Sequence, residues 1–188
     1  MDAVANLGSN LDFSGNTRDQ VEILSANLNS ALTIPVINVP YLFQQINVNA
    51  ALTVSPGVAM RAEAGVSIDV STSGSFNAVG TVTQPISIVG DVPTPGYWDG
   101  LELDRTNSSL NQLEHVTLSH GGGGGAPATH GNITMSCFAS APASVTVANS
   151  TLSDSLGWGI YQPQVPCATS VADSVVFTGN AQGQVSSQ

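Results

Sequence analysis

Between Gly74 and Leu103 the chain reads GSFNAVGTVTQPISIVGDVPTPGYWDGLEL, where short apolar runs alternate with Gly, Pro and Asn corners and no helical period starts. A chain interrupted this often cannot sustain several helical turns, so its apolar residues have to be buried from short strands. Period-2 alternation recurs at Ile46 to Val48, Leu52 to Val54, Val66 to Val70, Ile86 to Val89, Leu101 to Leu103, Val116 to Leu118, Val145 to Val147 and Val175 to Phe177. Each run is bounded by Gly, Pro, Asn, Asp or Ser, which fits an all-β sandwich, barrel or solenoid.

Internal repetition separates these three. Phe13-Ser-Gly-Asn16, Leu118-Ser-His-Gly121, Leu152-Ser-Asp-Ser155 and Phe177-Thr-Gly-Asn180 share one phrase: an apolar residue, Ser or Thr, a polar or Gly residue, and a small corner residue. A rung of roughly 20 to 25 residues explains their spacing, with a loop insertion at Gly121 to Gly125, and repeats of that size mark stacked solenoids. The expected fold is a single-stranded right-handed parallel β-helix. Residues 1–40 are read as an N-terminal rung and cap and residues 41–188 as the rungs proper, one domain overall. Asn16 to Leu24 opens either an edge strand or a short capping helix, since Pro35 and Pro40 stop a long one.

The 188 residues include no Lys and three Arg against 13 carboxylates, a net charge of -10. Such a surface repels nucleic acid and anionic lipid, which are bound chiefly through clustered Lys and Arg. With 41% hydrophobic residues the chain lacks the signature of disorder. No apolar run reaches the roughly 20 residues that span a bilayer, and Met1-Asp2 does not begin a leader. The expected compartment is extracellular or the cell surface, with any leader or preceding domains removed. Cys137 and Cys167, an even pair without CxxC spacing, point to one disulfide; two buried thiols in a cytosolic protein are the alternative.

Four phrases follow one another in order: Leu52-Thr-Val-Ser-Pro-Gly57, Gly74-Ser-Phe-Asn-Ala-Val-Gly-Thr81, Pro85-Ile-Ser-Ile-Val-Gly90 and Pro95-Gly-Tyr-Trp-Asp-Gly-Leu101. Asn149 to Ile160 continues them. Through these phrases the chain resembles bacterial extracellular right-handed parallel β-helix proteins of the pectate-lyase-like superfamily, in particular their non-enzymatic surface modules. The resemblance implies a solenoid used for display, adhesion or carbohydrate contact.

Polysaccharide lyases of that superfamily need calcium-holding carboxylates and a basic residue, and its hydrolases need paired acids across the glycosidic bond. Only Arg61 and Arg105 are candidate bases of Arg type in the rungs, no Asp-Asp pair occurs, and Ser119-His-Gly121 only partly echoes the hydrolases' Gly-His-Gly. The expectation is therefore a non-catalytic module. Asp99, Glu102 and Asp104 offer three oxygen donors for Ca²⁺, or form an acidic solvated face in which Arg105 pairs with one of them. Trp98, Trp158 and Tyr161 are either sugar-stacking aromatics or covers for the interior. His115, His120 and His130 have no recognised ligand spacing, and the glycine run is read as a flexible corner. Ice binding would need regular outward Thr rows, and Thr81-Val-Thr83 is isolated.

Leu11 to Val21 also echoes Val175 to Val185 at an offset of 164, which suggests either a tandem array, head-to-tail stacking or ordinary rung similarity. The expected function is a secreted or cell-surface β-solenoid with a structural, adhesive or head-to-tail assembly role. The alternative is a carbohydrate-binding module or degenerate relative of polysaccharide lyases and hydrolases. Expected partners are a second copy end to end or a glycan, with no nucleic acid and no membrane insertion.

Overall fold

A computed structural model describes residues 4, 6–7, 11–163 and 167–186. Every named strand pairs in parallel, and each turn of the chain adds one strand to each of three sheets. The first rung is β1 (Val21–Ile23), β2 (Ala26–Leu28) and β3 (Leu32–Ile34); the second is β4 (Tyr41–Phe43), β5 (Ile46–Val48) and β6 (Ala51–Val54). The third is β7 (Ala59–Ala62), β8 (Ser67–Val70) and β9 (Ser75–Val79), and the fourth is β10 (Ile86–Gly90), β11 (Gly100–Asp104) and β12 (Gln112–Glu114). Rungs five and six are β13 (Val116–Ser119), β14 (Gly131–Ser136), β15 (Ser144–Ala148) and β16 (Thr151–Ser153), β17 (Trp158–Tyr161), β18 (Ala168–Val171). The chain closes on β19 (Val176–Thr178) and β20 (Gly183–Val185), so the first, second and third sheets hold seven, seven and six strands. This is a parallel β-helix.

Register explains why it holds. In the first sheet Val21, Tyr41, Met60, Ile88, Leu118, Leu152 and Phe177 lie one above another. Stacking the inward residues of each sheet into apolar columns, at about 4.8 Å per strand, gives each interior side chain apolar neighbours above and below. The chain steps between them are 20, 19, 28, 30, 34 and 25 residues, so loop insertions occur on several rungs and not only at the glycine run. Leu118, Leu152 and Phe177 occupy one column, as their shared phrase predicts. Phe13 does not: Phe13–Asn16 forms no strand, and Val21 fills that column position. The offset of 164 between the ends is therefore not a register relation, because Phe177 stands over Val21 and not over Phe13.

The shared phrase has a conformational origin. His120, Asp154 and Gly179 directly follow the register partners Ser119, Ser153 and Thr178, and their φ values are 66°, 52° and 66°. A left-handed residue turns the chain out of the first sheet, and a polar or Gly residue tolerates it best. His115 and Asn149, at φ 51° and 49°, do the same where the third sheet hands over to the first.

Polar side chains are buried along the stack too, among them Thr106, Asn111 and Asn132. Asn111 is buried beside Phe76, accepting the Phe76 N–H at Oδ1 (3.0 Å) and donating from Nδ2 to the carbonyls of Thr106 (3.2 Å) and Ser144 (3.1 Å). Its amide ties together backbone groups of three successive rungs, in β9, ahead of β12 and at the start of β15. Cys137 and Cys167 form a disulfide with Cα atoms 5.5 Å apart. Bonds of this kind persist in oxidising compartments. Among the described residues no helix is long and apolar enough to cross a membrane.

Candidate functional site

The second sheet carries the polar residues. Its central outward positions are, in register, Asn27, Asn47, Asp69, Glu102, Thr134 and Tyr161. Each of the first five sits between two inward-facing residues, as in Ile46-Asn47-Val48, Ile68-Asp69-Val70 and Leu101-Glu102-Leu103, so alternation projects the polar side chain outward. Six strands at about 4.8 Å make a row of about 24 Å running across the strands. Amides, carboxyls and an aromatic ring succeed one another along it, while Thr134 is buried and its Oγ1 accepts the Gly131 N–H (3.1 Å).

The row is wired internally. Asn47 Nδ2 donates to Asn27 Oδ1 (2.8 Å), and Gln45 Nε2 donates to Ser67 Oγ (2.8 Å), Asn47 Oδ1 (3.2 Å) and Asp69 Oδ2 (3.3 Å). At the corner beside it Asn49 donates to Asn29 (3.1 Å). A concavity of about 480 Å³ opens over these rungs, lined by Asn27, Asn47, Asn49, Asp69, Glu102 and Asp104 among others. Burial, then a hydrogen bond with Asp69 and repulsion from Asp69, Asp99 and Asp104, push the Glu102 carboxyl up to about 8. Burial also raises Asp99, partly opposed by nearby His130.

The three predicted carboxylates divide. Glu102 belongs to the row, Asp104 is held by Arg105 (Nε to Oδ1 2.9 Å, Nη2 to Oδ2 2.6 Å), and Asp99 lies in the loop ahead of β11. Among the described residues no three His, Cys, Asp or Glu side chains are grouped to hold a metal ion, and this includes Asp99, Glu102 and Asp104 as well as the three histidines.

The aromatic residues divide too. Trp98 is 0% exposed, donates from Nε1 to the Ser119 carbonyl (2.8 Å) and meets Phe43 edge-on at 5.8 Å. It covers the interior and offers no face to a sugar, which corrects its place among the binding candidates. Trp158 is half-buried, its Nε1 bonded to the Ala128 carbonyl (3.1 Å) at the short 3₁₀ turn Pro127–Thr129. Half-buried Tyr161 ends the polar row.

The first half of the glycine run is packed against the neighbouring loop, while Gly124 and Gly125 are exposed. Gly122 and Gly123 donate to the carbonyls of Asp99 (3.1 Å) and Trp98 (3.0 Å), and a Cβ on Gly123 would stand 2.4 Å from the Gly96 carbonyl oxygen. Two loops, each leading from the first sheet to the second on adjacent rungs, approach backbone to backbone there, which only glycine allows.

Asn27, Asn47, Asp69 and Thr134 were not among the sequence candidates. Their signal is the recurring aliphatic–polar–aliphatic triplet (Ala-Asn-Leu, Ile-Asn-Val, Ile-Asp-Val, Leu-Glu-Leu, Ile-Thr-Met), whose partners only register identifies. Fold and row together define a parallel β-helix with a polar row on its second sheet. No family model, no curated protein and no solved structure matches the chain.

Proposed function

We propose that the protein is a non-catalytic adhesive module of the cell exterior that holds an uncharged polysaccharide along its second sheet. The observation that carries this reading is the six-residue row from Asn27 to Tyr161. Amides and carboxylates are bidentate partners for vicinal hydroxyls, and a tyrosine ring stacks on the C–H face of a sugar. Successive sugars of an extended chain advance by a distance close to the rung spacing, so one row suits several units. The net charge of -10 and the acids within the row disfavour an acidic polymer.

Binding is favoured over cleavage by the carboxyl pair itself. Hydrolysis needs two carboxyls about 5–9.5 Å apart with the glycosidic bond between them. Asp69 and Glu102 are register partners on adjacent rungs of one sheet face, so they stand side by side rather than on opposite sides of a bound chain. The Cys137–Cys167 disulfide supports an exterior compartment.

The test is affinity electrophoresis and calorimetry against neutral and acidic polysaccharides. Retardation by a neutral polymer, weakened at least tenfold by Tyr161→Ala and by Asn47→Ala with the fold retained, is the expected result. Equal binding by these variants, preference for an acidic polymer, or release of reducing ends would overturn the proposal.

A further inference from the structure

Three stretches of the chain carry the acceptor pattern for N-linked glycans, Asn-x-Ser/Thr: Asn107-Ser-Ser109, Asn132-Ile-Thr134 and Asn149-Ser-Thr151. A pattern this short recurs by chance in a chain rich in Asn, Ser and Thr, so its structural context decides. Asn132 is fully buried: its Oδ1 accepts the Gly121 N–H (2.9 Å), its Nδ2 donates to the Ser153 carbonyl (2.8 Å), and the Thr134 hydroxyl is bound to the Gly131 N–H. A sugar on that nitrogen has no room and would displace the carbonyl it serves. Asn149 is exposed, but it stands at a left-handed corner (φ 49°) and donates from Nδ2 to Glu114 (3.2 Å). Its pattern then runs through buried Ser150 into β16, where Thr151 cannot reach an enzyme without breaking the sheet.

Asn107 differs in each respect. It is exposed in the loop between β11 and β12, its side-chain amide makes no hydrogen bond among the described residues, and Ser109 is exposed in the same loop. The loop is held from within, since buried Thr106 donates to the Gly74 carbonyl (2.7 Å) and Asn111 to the Thr106 carbonyl (3.2 Å), so residues 107–110 stand outside the strand ladder. A concavity of about 550 Å³ beside it, lined by Asn107, Ser73, Ser75, Ser108 and Ser140 among others, has room and hydroxyls for a first sugar. We infer that Asn107 is the acceptor of an N-linked glycan. In the transfer, Nδ2 bonds to C1 of a sugar carried on a lipid diphosphate; the C1–oxygen bond breaks, and the lipid diphosphate leaves as the amide gives up one proton. An emerging chain offers all three patterns, but a sugar at Asn132 prevents the rungs from closing. The inference rests on the exterior placement that the disulfide supports and not on the polysaccharide row.

The test offers the oxidised 188-residue protein to a single-subunit oligosaccharyltransferase with a synthetic lipid-diphosphate oligosaccharide and maps the glycopeptides by mass spectrometry. One glycan at Asn107 is the expected result, absent from Asn107→Gln and from Ser109→Ala. Both variants keep the circular dichroism and melting temperature of the parent, because neither side chain holds the fold. The chain reduced, alkylated and unfolded accepts sugar at Asn132 and Asn149 as well. No transfer to Asn107 of the folded chain, or transfer there to Asn132 or Asn149, would overturn the inference.

Discussion

His120, Asp154 and Gly179 show how much one backbone angle organises. All three turn the chain out of the first sheet at positive φ, and the surrounding letters follow: an inward apolar residue, an outward hydroxyl, then the corner. That is why Leu118-Ser-His, Leu152-Ser-Asp and Phe177-Thr-Gly are recognisable as one phrase in the sequence. Phe13-Ser-Gly has the same letters, and Gly15 even has φ 79°, but Phe13 and Ser14 lie in no strand. The letters encode a corner, and only stacking against a neighbouring rung makes the corner part of a sheet.

At the same scale Glu102 sets a pH dependence. Its folded pKa, pushed up to about 8 by burial and by Asp69, lies above its unfolded value, so the folded state binds more protons across that interval. Stability is therefore unaffected by this group below about pH 4.5 and declines as pH rises toward 8. Glu102→Gln removes the titration. Urea unfolding at pH 5 and pH 8 checks this: the loss between the two, on the order of 1–3 kcal/mol after solvent screening, shrinks in the variant. An unchanged loss would show that Glu102 is not the titrating group.

Among the elements, legibility follows strand length and composition. β8, β10 and β13 were readable because branched aliphatics alternate over at least four residues. β12 and β16 were not: Gln-Leu-Glu and Thr-Leu-Ser each carry a single apolar residue, which sets no period. The third sheet was the least legible for a related reason, since Asn111 enters its interior and the apolar series breaks there. The candidate row was legible only through Glu102 and Tyr161, because its other members are ordinary polar residues until register aligns them.

The loop holding Trp98 gives the element-scale prediction. Its indole joins two rungs, through the Ser119 carbonyl and through the edge of Phe43, and the carbonyls of Trp98 and Asp99 receive the glycine run. Trp98→Ala should destabilise the protein by about 3–5 kcal/mol, as loss of a buried aromatic does. Hydrogen exchange at Gly122 and Gly123 should accelerate in the variant more than at the β2–β5 contacts several rungs away. Uniform acceleration would mean that the loop is not a separate unit.

For the whole molecule, charge is distributed by face. The second sheet carries Asp69, Glu102 and Asp104, while Arg61 lies outward on the first and pairs with Asp91 at 3.6 Å. The outward central row of the third sheet, Thr33, Thr53, Asn77, Gln112, Thr146 and Ser170, has no charge at all. Composition announced the excess of acid, but the chain order scatters it. Winding the chain into rungs is what gathers three of those acids on one side.

The disulfide also has a mechanical meaning. Cys137 lies just after β14 and Cys167 just before β18, so the bond spans from the fifth rung to the sixth, across 30 residues of chain. Tension applied along the axis peels rungs apart by breaking hydrogen bonds strand by strand, but it cannot extend the segment between the two sulfurs. Pulled by its ends in a force spectrometer, the reduced protein should yield about 100 Å more contour length than the oxidised one. A module that tethers one surface to another would then have a fixed limit to its stretch, set by a covalent bond between its fifth and sixth rungs.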